Sequence, residues 1–192
     1  MPILGIMASG MSGNLWAPSG AYDSISTVTV GSGGQATIDF TSIPQTYTHL
    51  QIRVMCRSLS GATNDGILMR CGTGGTLNTT STLWGHFLKG DGATTTSGSR
   101  SSTNIEMIET TANTSAASMF GVAIIDLLDY TSTTNNKTFR SLTGNDQNGS
   151  LGELRLMSGS YGATTNAIDT LRFYSAFANI AQYSSFALYG IK

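Results

Sequence analysis

The sequence predicts an all-β protein: an antiparallel two-sheet sandwich, jelly-roll-like, with an extended N-terminal arm. Three observations point there. Residues 46–57, TYTHLQIRVMCR, alternate apolar and polar side chains with the period of a strand that has one dry face. Short segments of the same kind recur between Gly, Asn and Ser turns, and no stretch of ten residues carries helical periodicity. Charged residues make up only 11% of the chain. Ser, Thr, Asn and 23 Gly take their place, and these residues suit strands and tight turns better than helices.

The 192 residues suit a single domain with a core of its own. Residues 1–20 read as an attachment arm and residues 21–192 as the sandwich. The arm is apolar, spaced by Gly5, Gly10 and Gly13, and bracketed by Pro2 and Pro18. Neither strand nor helical period persists in it. Large apolar groups left in water are a liability. The arm either folds back over its own domain or docks on a partner; the second reading is preferred, with Pro2, Ile3, Leu4, Ile6, Met7, Met11, Leu15 and Trp16 as the docking residues. It has no Lys or Arg ahead of its apolar run, and its glycines break it well short of the ~20 residues of a membrane span. No membrane partner is expected, and the chain reads as one made in a cytosol or assembled there into something larger.

From Ser24 the texture is β. Residues 24–30 and 36–41 alternate around GSGG and predict a hairpin. Residues 46–58 predict a long strand, Asp65-Gly66 a turn, and 66–71 another strand. Residues 72–104 read as loop-rich, anchored by the apolar island LWGHFLK at 83–89. Strands follow at 104–110, 137–143, 151–158, 167–175 and 184–191. The apolar run SMFGVAIIDLLDY at 118–130 predicts a central strand covered on both faces.

Candidate chemistry is sparse. Net charge is −1 and the pI about 6.0, so the chain has no basic face for phosphates and no nucleic-acid partner is expected. Cys56 falls in phase with Leu50, Ile52 and Val54 and reads as a reduced core residue. A bond to Cys71 stays open, and the two cysteines lack zinc-site spacing. His49 and His86 have no nucleophile motif beside them. Glu106 and Glu109, like Asp126 and Asp129, are expected on opposite faces of their strands, and the Gly-rich turns lack a phosphate-binding Lys. No catalytic residue, metal or cofactor is assigned. His49, Gln51, Arg53 and Arg57 are expected to line a wet sheet face that meets a neighbouring subunit. Arg140, Arg155 and Arg172 sit inside strands, with Asp39, Glu153 and Asp169 as candidate partners. Aromatics in or near loops, Trp84 and Tyr161 with Tyr174, Phe177 and Tyr183, are candidates for stacking on a glycan, and equally for anchoring loops or meeting a subunit.

Several stretches resemble small virion proteins of tailed bacteriophages, especially those of aquatic and cyanobacterial hosts. They are MPILGIMASG, YDSISTVTVGSGG, IDFTSIPQTYTHLQIRVMCRS and the closing IDTLRFYSAFANIAQYSSFALYGIK. The resemblance covers both ends of the chain, and residues 72–104 match nothing in it. It implies a jelly-roll body, often a homotrimer, displayed on the head, neck or tail and attached through an amino-terminal arm. No catalytic motif travels with it. The expectation is a non-enzymatic virion protein, assembled in the host cytoplasm. It would be a capsid decoration (cement) protein or head-attached fibre docking on the major capsid protein or another virion protein. The alternative is a tail or neck fibre component whose tip binds host glycan. A glycan-degrading enzyme is a third class, with no motif in its favour.

Overall fold

The computed structural model describes residues 21–80, 83–147, 152–162 and 165–192. The arm residues, Pro2 to Trp16, lie outside them. The described chain is all-β. Its strands in order are β1 (Tyr22–Thr29), β2 (Thr37–Phe40), β3 (His49–Cys56), β4 (Asn64–Thr73) and β5 (Thr76–Leu77). Then come β6 (Leu83–Gly90), β7 (Thr95–Ser102), β8 (Ile105–Thr111) and β9 (Gly121–Leu128). The last are β10 (Lys137–Asn145), β11 (Glu153–Tyr161), β12 (Thr170–Ser175) and β13 (Ser185–Ile191).

Two antiparallel sheets form a sandwich. The large one has eight strands in the order β1-β13-β3-β9-β10-β11-β6-β7. The small one runs β2-β12-β4-β5, with β8 also pairing with β4. The strong alternation in 46–57 places β3 near the middle of the large sheet, between β13 and β9. Its inward residues Leu50, Ile52, Val54 and Cys56 meet Phe186 and Leu188 of β13 and the inner face of the small sheet. There Phe173 packs on Phe186 at 5.6 Å and takes Phe40 edge-on at 6.4 Å. Cys56 and Cys71 are both free and fully buried, one on each sheet, and burial pushes both thiols up to about 12.

Three sequence expectations change. Residues 24–30 and 36–41 do not pair as a hairpin. β1 pairs with β13 in the large sheet and β2 with β12 in the small one, so the glycine turn crosses the sandwich. Gly33 and Gly34 supply that crossing with φ of 88° and 76°, a region closed to most side chains. Asp65 and Gly66 are not a turn but belong to β4. Residues 72–104 are not mainly loop either. LWGHFLK is β6 itself, and β6 forms a register-perfect hairpin with β7, TTSGSRSS. The tight turn between them falls on GDG. The Asp91 carboxylate accepts the amides of Ala93 and Thr94, and those bonds hold it at about 2.

Candidate interaction surface

The outer face of the large sheet is set by cross-strand pairing. Gln51, Asp126, Arg140, Ser158 and His86 stand opposite one another across β3, β9, β10, β11 and β6. Two residues along each strand, the next row is Arg53, Ile124, Leu142, Leu156 and Leu88. Two further on, it is Met55, Val122, Gly144, Leu154 and Gly90. The first row is polar. The other two form an apolar band of seven large side chains, each from 45% (Met55) to 62% (Leu154) exposed. A shallow groove of about 610 Å³ runs through it, lined by Met55, Val122, Ile124, Leu142 and Leu154 with Arg53 at its side.

The polar row is ordered by its own hydrogen bonds. Arg53 Nε donates to Gln51 Oε1 at 2.9 Å, and Gln51 Nε2 donates to Asp126 Oδ1 at 2.8 Å. Arg140 Nε donates to the other oxygen of Asp126 at 2.8 Å. The Arg53 guanidinium lies 5.1 Å from the Tyr22 ring and 4.9 Å from the Tyr189 ring, close enough for cation–π attraction on both. His49 is half-buried at the end of β3. Its Nδ1 accepts the Asp129 amide at 3.0 Å and stands 3.5 Å from the Asp129 carboxylate.

The expected face of His49, Gln51, Arg53 and Arg57 is thus corrected in part. Gln51 is buried within the ladder, and Arg57 is not on the wet face at all. The chain leaves the regular sheet at Arg57. Its guanidinium turns onto the carbonyls of Ala116, Met119 and Ser115 at 2.7–3.0 Å and of Asn113 at 3.4 Å. Five donors on one planar group suit that job, and alternation alone cannot foresee it. The expectation that 118–130 is covered on both faces also changes. β9 is central in its sheet, but its outward Val122 and Ile124 are half exposed.

Beneath the band the usual distribution is inverted. β11 turns Leu154 and Leu156 outward and Glu153 and Arg155 inward. Arg155, 2% exposed, donates from Nε to Glu153 at 3.0 Å, from Nη2 to Glu109 at 3.0 Å, and from Nη1 to Glu106. Lys89 Nζ reaches Glu153 at 2.7 Å, and Arg100 stands 3.4 Å from Glu106. The guanidiniums of Arg155 and Arg100 lie 5.2 and 5.4 Å from the centre of the Phe87 ring. Burial, followed by the hydrogen bond with Glu106, pushes Glu109 up to about 8. Burial acts on Glu106 in the same direction, but Arg155 and the Glu109 hydrogen bond hold it below the usual carboxylate range.

Glu106 and Glu109 therefore share one face, against the sequence expectation. The reason is a β-bulge. Ile67 pairs with Ile108 but Leu68 with Glu106, so Met107 is an extra residue that shifts the alternation by one. Gly66 makes room, since a Cβ there would lie 2.7 Å from the Glu106 side chain. The other expected partners divide. Asp39 takes Arg172 with two bonds of 2.6 and 3.0 Å, whereas Asp169 accepts the Gly75 amide at 3.1 Å.

The aromatic candidates also divide. Trp84 is 45% exposed, but on β6 and not on a loop. Tyr161 is corrected outright. At 1% exposure it ends β11 as a core residue, and burial pushes its hydroxyl up to about 12, so it offers no platform. Phe177 and Tyr183 are exposed in the β12–β13 connection. Among the described residues no group of three His, Cys, Asp or Glu side chains could hold a metal ion, and no helix is long and apolar enough to cross a membrane. No protein-family model, curated protein or solved structure matches the chain.

Proposed function

We propose that this chain is a structural, non-enzymatic component of a tailed-phage virion. In this reading it is a capsid decoration protein or head-attached fibre, held to the particle by residues 1–20 and present as an oligomer. The observation that carries the assembly role is the apolar band. Seven large side chains stand half in water on the sheet face beneath which Glu153 and Arg155 of β11 turn inward. A face of that kind is suited to a protein surface, not to solvent. The virion setting rests on the resemblance of the two chain ends to phage virion proteins. A tail or neck fibre tip is the second reading, favoured by the exposed Trp84.

One particle-binding assay tests both. Deletion of residues 1–17 is expected to leave a folded sandwich that no longer attaches to particles lacking the chain. Full attachment of the truncated protein overturns the leading reading. A Trp84→Ala chain that attaches normally but abolishes adsorption to the host supports the second.

A further inference from the structure

We propose that the apolar band is the contact between two copies of this chain, packed face to face about a two-fold axis lying along the band. The proposal concerns the sandwich alone and stands whether or not residues 1–20 attach it to a particle.

The shape of the band suits a second sheet. Its two rows run straight across β3, β9, β10, β11 and β6 with no irregularity in register. At about 4.8 Å per strand it is about 19 Å long. Flat apolar sheet faces of this kind pack on one another at about 10 Å. The outer row carries Gly144 between Val122 and Leu154, and the groove beside it can take a neighbour's leucines.

The charges flanking the band name the partner as another copy. On one long edge lie Arg140 and His86, with Arg53 beside them, and Asp126 as the one carboxylate. Beyond the opposite edge lie Asp146 and Asp91, both exposed. Both line the groove at that end, which has no basic residue in its lining. An axis along the band places each strand over its own counterpart and reverses its direction. The edge that carries Arg140 in one copy then lies over the acidic edge of the other. On β10 the match is close: Arg140 and Asp146 are each three residues from Thr143, the midpoint between the two rows. Arg140 of one copy faces Asp146 of the other, and His86 faces the Asp91 turn. An unrelated apolar partner has no reason to find opposite charges at equal distances from the centre of the band. A two-fold contact has that symmetry built in.

The contact is tested on the full chain by native mass spectrometry and sedimentation velocity. The wild-type assembly is expected to hold an even number of copies, and not to be the lone homotrimer that the resemblance implies. Leu142→Glu and Leu156→Glu, each at a half-exposed position, should halve that number while circular dichroism and the melting temperature stay unchanged. Arg140→Glu should weaken the pair, and Arg140→Glu combined with Asp146→Arg should restore it. A wild-type monomer or an odd copy number overturns the proposal. So does a copy number that the glutamate variants leave unchanged. In that case faster proteolysis of residues 1–20 in the variants identifies the chain's own leading segment as the cover.

Discussion

In β3 the inward residues are Leu50, Ile52, Val54 and Cys56, and the outward ones include His49 and Arg53. In β11, three strands away in the same sheet, Glu153 and Arg155 face inward and Leu154 and Leu156 outward. β3 obeys the rule for a sandwich with one wet face, and β11 reverses it. The reversal is not a one-residue slip that frustrates the fold, because the inward charges satisfy one another and the outward leucines align with those of β10 and β6. Alternation specifies that a strand has two faces; what lies across each face decides which is dry. Each half-exposed leucine forgoes roughly 1 kcal/mol of burial in the isolated chain. That cost is recovered only where the band is covered.

The contrast can be broken most forcefully at Arg155. Arg155→Met leaves Glu106, Glu109 and Glu153 without their shared cation, and removal of one partner from a buried ion network costs about 3–5 kcal/mol. Urea denaturation should show that loss as a lower midpoint. A loss under about 1 kcal/mol would mean the inward charges of β11 are incidental. The matching change in the conventional half is Arg57→Ala, which removes the guanidinium that Asn113, Ser115, Ala116 and Met119 share and leaves Met119 only its Thr111 bond. The expected cost is about 2 kcal/mol, accompanied by faster proteolytic cleavage within 113–119. Unchanged cleavage would show that the segment is held by other contacts.

The subtlest effect is a slope and not an offset. Glu109 is raised from 4.5 to about 8 in the folded protein. A group raised in this way contributes stability below pH 4.5 that is lost as pH rises through about 8. The wild-type melting temperature should therefore fall between pH 5 and 9, and Glu109→Gln should flatten that fall without lowering stability at pH 8. Equal slopes in the two proteins would show that Glu109 does not hold its proton at neutral pH.

Much of the architecture was legible because most strands carry their own alternation. β3, β10, β11 and β13 can be read from their sequences to within a few residues. β7 could not be read that way. TTSGSRSS has no apolar residue, and its place comes from pairing with β6 at the sheet edge. The bulge at Met107 changes the phase of β8 without any Gly or Pro to mark it. Arg57 keeps the parity of β3 but lies just past its end, where parity no longer assigns a face. The leucines of the outer band were visible as an alternating set. Their direction was not, because it depends on Glu106 and Glu109 arriving from a different strand to meet Arg155.

Cys56 and Cys71 carry a separate consequence. Each thiol is enclosed in its own sheet and stays protonated far above neutral pH, so neither presents the thiolate that oxidants and disulfides attack. The covalent skeleton of this protein is accordingly the same in reducing and in oxidising surroundings, and passage from one to the other requires no rewiring of the chain.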